Sequence, residues 1–166
     1  MIRSHYVYGV AVLADGRLVS GSADNTVKVW TQRSDGSGDW DPTATLTGHS
    51  HYVFGVAVLA DGRLVSGSHD KTVKVWTERS DGSGDWDTTA TLTGHSNQVF
   101  GVAVLADGRL VSGSYDKITI FLSFFSHGPR LLMTTAHDRG RGVIERMIKM
   151  TRRLPAGPVL AKAKTR

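Results

Sequence analysis

Apolar and polar positions along the first 120 residues follow a pattern that recurs every 46 residues. The stretch from Tyr52 to Trp76 reads YVFGVAVLADGRLVSGSHDKTVKVW; the same wording runs from Tyr6 to Trp30 and returns at Gln98 until it breaks after Lys117. In the second copy Val53, Gly55, Ala57 and Leu59 alternate with Phe54, Val56 and Val58, so both faces are apolar. That pattern predicts a strand covered on both sides. Ala60-Asp61-Gly62 follows, and a glycine at the end of such a turn supplies the positive φ of a tight hairpin. Leu64–Ser68 then predicts a second strand and His69-Asp70-Lys71 a second polar turn. Thr72–Thr77 predicts a β-branched third strand, residues 79–85 a loop by composition, and Thr89–Thr93 a fourth strand.

Four antiparallel strands in about 46 residues is the content of one blade of a β-propeller. The copies are nearly identical. Residues 5–50 differ from 51–96 at Tyr8/Phe54, Ala23/His69, Asn25/Lys71, Gln32/Glu78 and Pro42/Thr88. Before the break, the third copy differs from the second at His51/Asn97, Tyr52/Gln98 and His69/Tyr115. Recent duplication with drift accounts for such changes, and so does diversification of a binding face.

These residues resemble the WD-repeat (WD40) β-propeller family over roughly residues 2–117. The motifs recur together in register: Gly48-His49 before the first strand, Asp61-Gly62 in the first hairpin, Ser66-Gly67-Ser68-His69-Asp70, and Trp76 at the end of the third strand. The family's terminal Trp-Asp is Trp30-Thr31 and Trp76-Thr77 here, and its Phe-x-Pro-Asp-Gly is Val-Leu-Ala-Asp-Gly. The Val-Ala-Val-Leu wording is similar to a phospholipase-activating, ubiquitin-binding subgroup. The resemblance implies that His49, Ser66, Asp70 and Trp76 form a buried hydrogen-bond tetrad. Only the second copy has all four members. The third offers His95, Ser112 and Asp116, the first Ser20, Asp24 and Trp30. The resemblance also implies that the loop before the first strand and the turn before the third share a rim that meets partners, which nominates His51, Tyr52, His69, Asn97, Gln98 and Tyr115.

The array is incomplete. Ile2-Arg3 stand where Gly48-His49 would be, and the third copy exchanges Thr72–Trp76 for Ile118-Thr119-Ile120-Phe121-Leu122. Propellers close with 4–8 blades, and seven units of this length need roughly 320 residues. The expected fold is therefore all-β, an incomplete propeller of about three four-stranded antiparallel blades spanning residues 1–122, in units of about 5–50, 51–96 and 97–122. A basic tail, partly helical or disordered, would follow over 123–166. A fragment of a longer protein is the leading expectation; chains completing one ring together, or a poorly folded chain, are the alternatives. After the break, Ile118–Phe125 suits a substitute third strand and Arg130–Thr135 a makeshift fourth. Val143, Met147, Met150 and Leu154 form one stripe of a helix over 141–154, ended by Pro155.

Charge changes the picture only in the tail. The net charge is +5, yet residues 1–120 hold 10 Lys+Arg against 13 Asp+Glu, and residues 121–166 hold 10 against 2. A basic amphipathic helix suits an anionic membrane, nucleic acid phosphates or calmodulin; unselected sequence after a frame change is the competing reading. There is no cysteine, which excludes disulfides and thiolate chemistry. The start, MIRSHYVYGV, lacks the ordered regions of a signal peptide, and no apolar run has membrane-spanning length, so an intracellular, cytoplasmic setting is expected, the nucleus remaining open.

Three constellations invite chemistry. His49, Ser66 and Asp70 have the composition of a catalytic triad, but triads are defined by geometry, and a buried structural set is the stronger reading. His49 and His51, with His69 nearby, suggest metal binding without an evident third ligand. Asp35, Ser37, Asp39 and Asp41, repeated from Asp81 to Asp87, alternate like the oxygen ligands of calcium loops, yet Trp40 and Leu46 stand where such a loop needs Gly and Glu. No catalytic residue, metal or cofactor is expected. The function expected is a noncatalytic protein-interaction scaffold using the blade rim, in ubiquitin-linked or signalling assemblies. Its partners would be other proteins, including a second copy that completes the ring. Anionic-surface binding through the tail, or a fragment with no independent function, are the alternatives.

Overall fold

The computed structural model describes residues 5–116 in full and, beyond them, the backbone of two strands, Ile118–Phe125 and Gly128–His137. The described strands lie in one compact unit, Met1–Ala136, save for the last residue of the final strand; the helix expected over 141–154 lies outside the described residues. The described residues form three four-stranded antiparallel meanders. The first comprises β1 (Val7–Val12), β2 (Leu18–Ser22), β3 (Val27–Gln32) and β4 (Trp40–Leu46). The second comprises β5 (Val53–Val58), β6 (Leu64–Ser68), β7 (Val73–Glu78) and β8 (Trp86–Leu92). The third runs β9 (Val99–Val104), β10 (Leu110–Ser114), β11 (Ile118–Phe125) and β12 (Gly128–His137).

Local sequence accounts for these elements. In the β5–β6 hairpin the N–H of Leu59 donates to the Arg63 carbonyl (2.8 Å) and that of Gly62 to the Leu59 carbonyl (2.9 Å), with Gly62 at φ 87°. The Asp61 carboxylate accepts from the Arg63 backbone (3.2 Å) and closes the turn. The β6–β7 turn also needs a left-handed residue but holds Lys71, at φ 71°, where the first copy has Asn25 at 70°. The fourth strand of each repeat begins earlier than its β-branched stretch suggests. β8 starts at Trp86 because Glu78 pairs with Trp86 and Thr77 with Asp87, extending the ladder back to the end of the expected loop. The substitute strands form at 118–125 and 128–137, so the division expected between 122 and 123 falls inside β11.

The core lies between successive sheets. Val19, Val29 and Leu46 of the first sheet pack with Val53, Val56, Leu64 and Trp76 of the second. Val65 and Val75 pack with Val99 and Leu110 in the same manner. Two glycines set the approach at each junction. A Cβ on Gly9 would stand 2.5 Å from the Phe54 carbonyl oxygen, and one on Gly21 would stand 2.8 Å from a Val53 methyl. Gly55 and Gly67 stand in the same relation to the third sheet, at 3.0 Å from the Phe100 carbonyl and 2.8 Å from Val99. Arg17 adds an ion pair across the first junction, donating through both terminal nitrogens to Glu78 (2.8 and 2.7 Å). That carboxylate raises the guanidinium's already high pKa.

The covering expected on both faces holds for β5 and fails for β1. Val53 and Val56 are buried, whereas Val7, Val10 and Val12, at the positions of Val53, Val56 and Val58, are exposed. The residues are the same; among the described residues no sheet covers this face of β1.

Candidate interaction rim and the buried tetrad

The connection between β4 and β5 carries Gly48-His49 into the second sheet. Gly48 lies at φ 146°, and a Cβ there would stand 3.4 Å from the Trp76 ring, so the motif's glycine serves both conformation and space. His49 then reaches two elements at once. Its Nδ1 lies 2.7 Å from Asp70 Oδ2 in the β6–β7 turn, and its Nε2 lies 2.8 Å from Ser66 Oγ on β6. The Trp76 indole N–H donates to the same Ser66 oxygen (2.8 Å). Asp70 also accepts from the Ser50 and Thr72 backbones (3.0 Å each) and from the Thr72 hydroxyl (2.6 Å).

Proton positions follow from these partners. Burial pushes the Asp70 carboxyl up, but hydrogen bonds from Thr72, His49 and Ser50 outweigh it and hold the group at about 2. An ionised carboxylate only accepts, so His49 Nδ1 carries the ring proton. Burial lowers the His49 pKa below its ordinary value, against the opposing pull of Asp70. Neutral His49 therefore presents a bare Nε2 that accepts the Ser66 hydroxyl proton. The chain runs from Trp76 N–H to Ser66 O–H to His49, and from His49 to Asp70, with every donor used.

The Ser66–His49–Asp70 connectivity is also that of a nucleophilic relay, but the surroundings differ. Ser66 is fully buried, and its oxygen accepts from Trp76. A nucleophile needs an open approach and donors placed for an oxyanion; here the indole of Trp76 fills that approach. The third copy keeps half the network: His95 Nε2 lies 2.8 Å from Ser112 Oγ, and Nδ1 lies 3.0 Å from Asp116 Oδ2, which also accepts from the Ser96 backbone (2.9 Å). In the first copy Trp30 donates to Ser20 (2.8 Å), while Asp24 accepts from Thr26 (3.0 Å from its backbone, 2.6 Å from its hydroxyl).

The six rim residues lie beside one another at the ends of their sheets, joined by the backbone bonds His69 N–H to Tyr52 O (2.9 Å) and Tyr115 N–H to Gln98 O (3.1 Å). His51 and His69 stack with centroids 3.8 Å apart and planes 18° apart, and Tyr52 meets His51 edge-on at 4.3 Å. The His51/Asn97 exchange has a structural reason. His51 Nδ1 accepts the next backbone N–H (2.8 Å), and Asn97 Oδ1 does the same for Gln98 (2.9 Å). Both carbonyls accept a serine hydroxyl, from Ser68 and Ser114 (3.0 and 3.1 Å).

Reasoning from loops alone misses half of this surface. Tyr8, Phe54 and Phe100, on β1, β5 and β9, form an aromatic ladder across all three sheets, with centroids 5.0 and 4.9 Å apart. Tyr6 stacks on Tyr8 (6.4 Å), and Tyr115 meets Phe100 edge-on (6.2 Å). Tyr6, Tyr8, Tyr52, Phe100 and Tyr115 are all exposed, Tyr6 at 78% and Tyr115 at 71%. The available signal was an aromatic residue before glycine at the 46-residue spacing.

The loop carboxylates resembling calcium ligands are engaged within the chain. Asp41 receives both arms of Arg33 (2.7 and 2.8 Å), and Asp35 accepts the Ser37 backbone (2.9 Å). Arg79 and Asp87 repeat the first pairing. His49, the first residue of His-x-His, has both nitrogens committed. Among the described residues no group of three or more His, Cys, Asp or Glu is placed to hold a metal ion.

Three face-packed four-stranded meanders carrying this network define a partial β-propeller. The sequence profile of the family described as WD domain, G-beta repeat, matches residues 1–31, 40–77 and 86–121, well over half of the chain. The chain belongs to the WD-repeat family. Each matched segment after the first opens on the outer strand of one sheet and continues through the inner three of the next. No curated protein sequence matches. Among solved structures, the WD40 beta propeller domain of Doa1 is similar, at 25% identity and a TM-score of 0.61, over 76% of this chain and 39% of that one. The chain thus spans about two-fifths of the length of that neighbour. Propellers of this family are in general protein-interaction scaffolds and noncatalytic.

Proposed function

We propose that the chain is a noncatalytic protein-interaction module of the cytoplasm that engages another protein through its aromatic and imidazole rim. The observation that carries this reading is the continuous run of rings from Tyr6 to Tyr115, exposed at Tyr6, Tyr8, Tyr52, Phe100 and Tyr115 and half-buried at Phe54 and His69. Aromatic side chains on a fixed scaffold offer large contact area at small entropic cost, and anchors of this kind dominate binding energies. His51, Asn97 and Gln98 supply the polar edge. The likeness to the Doa1 propeller and the Val-Ala-Val-Leu wording support ubiquitin-linked assemblies as the setting.

The test is titration of the chain with ubiquitin and ubiquitin chains, beside Tyr52→Ala and Tyr115→Ala. Both side chains are exposed, so the fold should survive their loss. Each truncation is expected to weaken binding about tenfold or more. No binding would remove the ubiquitin assignment; binding indifferent to both substitutions would remove the rim. A second reading, anionic-surface binding through residues 123–166, rests on the charge excess of the tail. It predicts binding that falls steeply with salt and disappears when those residues are deleted.

A further inference from the structure

We propose that the two unmatched faces of this array bind each other between chains, so that a second copy supplies the missing junctions and two chains close one ring.

The two internal junctions are built from the same parts, 46 residues apart. One sheet offers a pair of glycines, Gly9 with Gly21 or Gly55 with Gly67, and the next inserts two valines, Val53 with Val56 or Val99 with Val102. Continuing the series, the third sheet offers Gly101 and Gly113, and a Cβ added at either meets nothing within 4 Å among the described residues. The first sheet carries the matching valines, Val7 and Val10, which are 56% and 75% exposed where Val53 and Val99 are fully buried. Each free face is a copy of a face that is mated elsewhere in the same molecule. Their natural complement is therefore each other, and chain geometry separates them within one copy by the second sheet.

Other groups on the free face agree. An apolar groove of about 420 Å³ opens there, lined by Val10, Val12, Trp30 and Trp40 among others. At the equivalent positions Trp76 is buried and Trp86 packs against the first junction's core. A head-to-tail contact forms a ring when the rotation closes. Two copies give six sheets, inside the 4–8 of known propellers, while three would give nine. A dimer is the expected assembly.

Substitutions can separate the two faces. Val10→Asp damages only the valine face, and Gly113→Val fills only the glycine face; both positions are uncovered among the described residues. Size-exclusion chromatography with light scattering over a dilution series should give the wild type about twice 17.9 kDa. Each variant should be a folded monomer by circular dichroism. Mixing them should give a heterodimer held by one intact junction, the valine face of Gly113→Val against the glycine face of Val10→Asp, and weaker than the wild type because the second junction carries both substitutions. Gln32→Glu gives a gain instead of a loss. Gln32 occupies the position of Glu78, which receives Arg17 at the first junction, so the new carboxylate would meet Arg109 of the other copy. About tenfold tighter, salt-sensitive association is expected. Tryptophan emission should shift to the blue on association as Trp30 and Trp40 are covered.

A wild type that stays monomeric throughout the series would overturn the proposal. So would a dimer untouched by both face substitutions, or variants that remain monomers when mixed. These outcomes are independent of the rim, whose test reads binding to a different protein.

Discussion

Replacing Asp70 with alanine tests whether the buried network ties the inter-sheet connection to its blade. Four accepted hydrogen bonds vanish: from His49, the Ser50 backbone, and the Thr72 backbone and hydroxyl. The His49 side chain is 1% exposed, so its buried Nδ1–H would keep only the long contact to the Thr72 hydroxyl (3.4 Å). Bonds to a charged group contribute about 1.5–3 kcal/mol each and do not add fully, and a stranded buried donor costs about 1–3 kcal/mol. Destabilisation of roughly 3–5 kcal/mol follows, a fall in melting temperature on the order of 10 °C for a domain of this size. The same change at Asp116 should cost less, because the third copy lacks both the tryptophan and the threonine of the second. At Asp24, where no histidine is present, the cost should approach about 1 kcal/mol. Urea titrations of the three variants, with Asp39→Ala, 66% exposed at its side chain, as a surface control, give the ranking directly. If Asp70→Ala matches that control, the network contributes nothing to holding the blade and the reasoning fails.

Two further outcomes follow from the same geometry. The folded chain holds Asp70 at about 2, below its ordinary 3.8, so its contribution of about 2 kcal/mol is present above that ordinary value and disappears as pH falls toward 2. His49 is also held low, so below about 6.5 the unfolded chain binds protons that the fold refuses, and stability falls with pH there too. The urea midpoint should drop between pH 7.5 and 5.5, and more in the wild type than in His49→Asn; parallel curves would refute the neutral-histidine assignment. Lys71 holds a left-handed φ of 71° that asparagine tolerates better, as Asn25 does in the first copy. Lys71→Asn should raise stability by roughly 0.5–1 kcal/mol, and a lowered urea midpoint would contradict that account.

The repeat and the hairpin glycines were legible in the chain because each depends on neighbours within one 46-residue unit, whereas the tetrad, which joins His49 of one unit to the next, was legible only through the family resemblance. Asp61-Gly62 closes its turn with its own backbone, and His49, Ser66, Asp70 and Trp76 meet through registers that two hairpins fix. The start of β8 at Trp86 was less legible, since glycine-rich composition masks a ladder set by the partner strand. The aromatic ladder of Tyr8, Phe54 and Phe100 was legible only as spacing. Its members touch because Gly9 and Gly55 let successive inner strands approach to backbone contact.

The largest difference between sequence and structure lies in Val7, Val10 and Val12. Their sequence environment is that of Val53, Val56 and Val58, and so is their strand, yet one set is exposed and the other largely covered. Sequence by itself determined what each unit is: four strands, their turns, and the polar groups that lock them. Whether a unit's face is core or surface depends on a neighbouring sheet, and burial is a property of the pair of surfaces that meet. Tertiary structure alone decided that, covering Val53 and Val56 while Val7, Val10 and Val12 stay exposed.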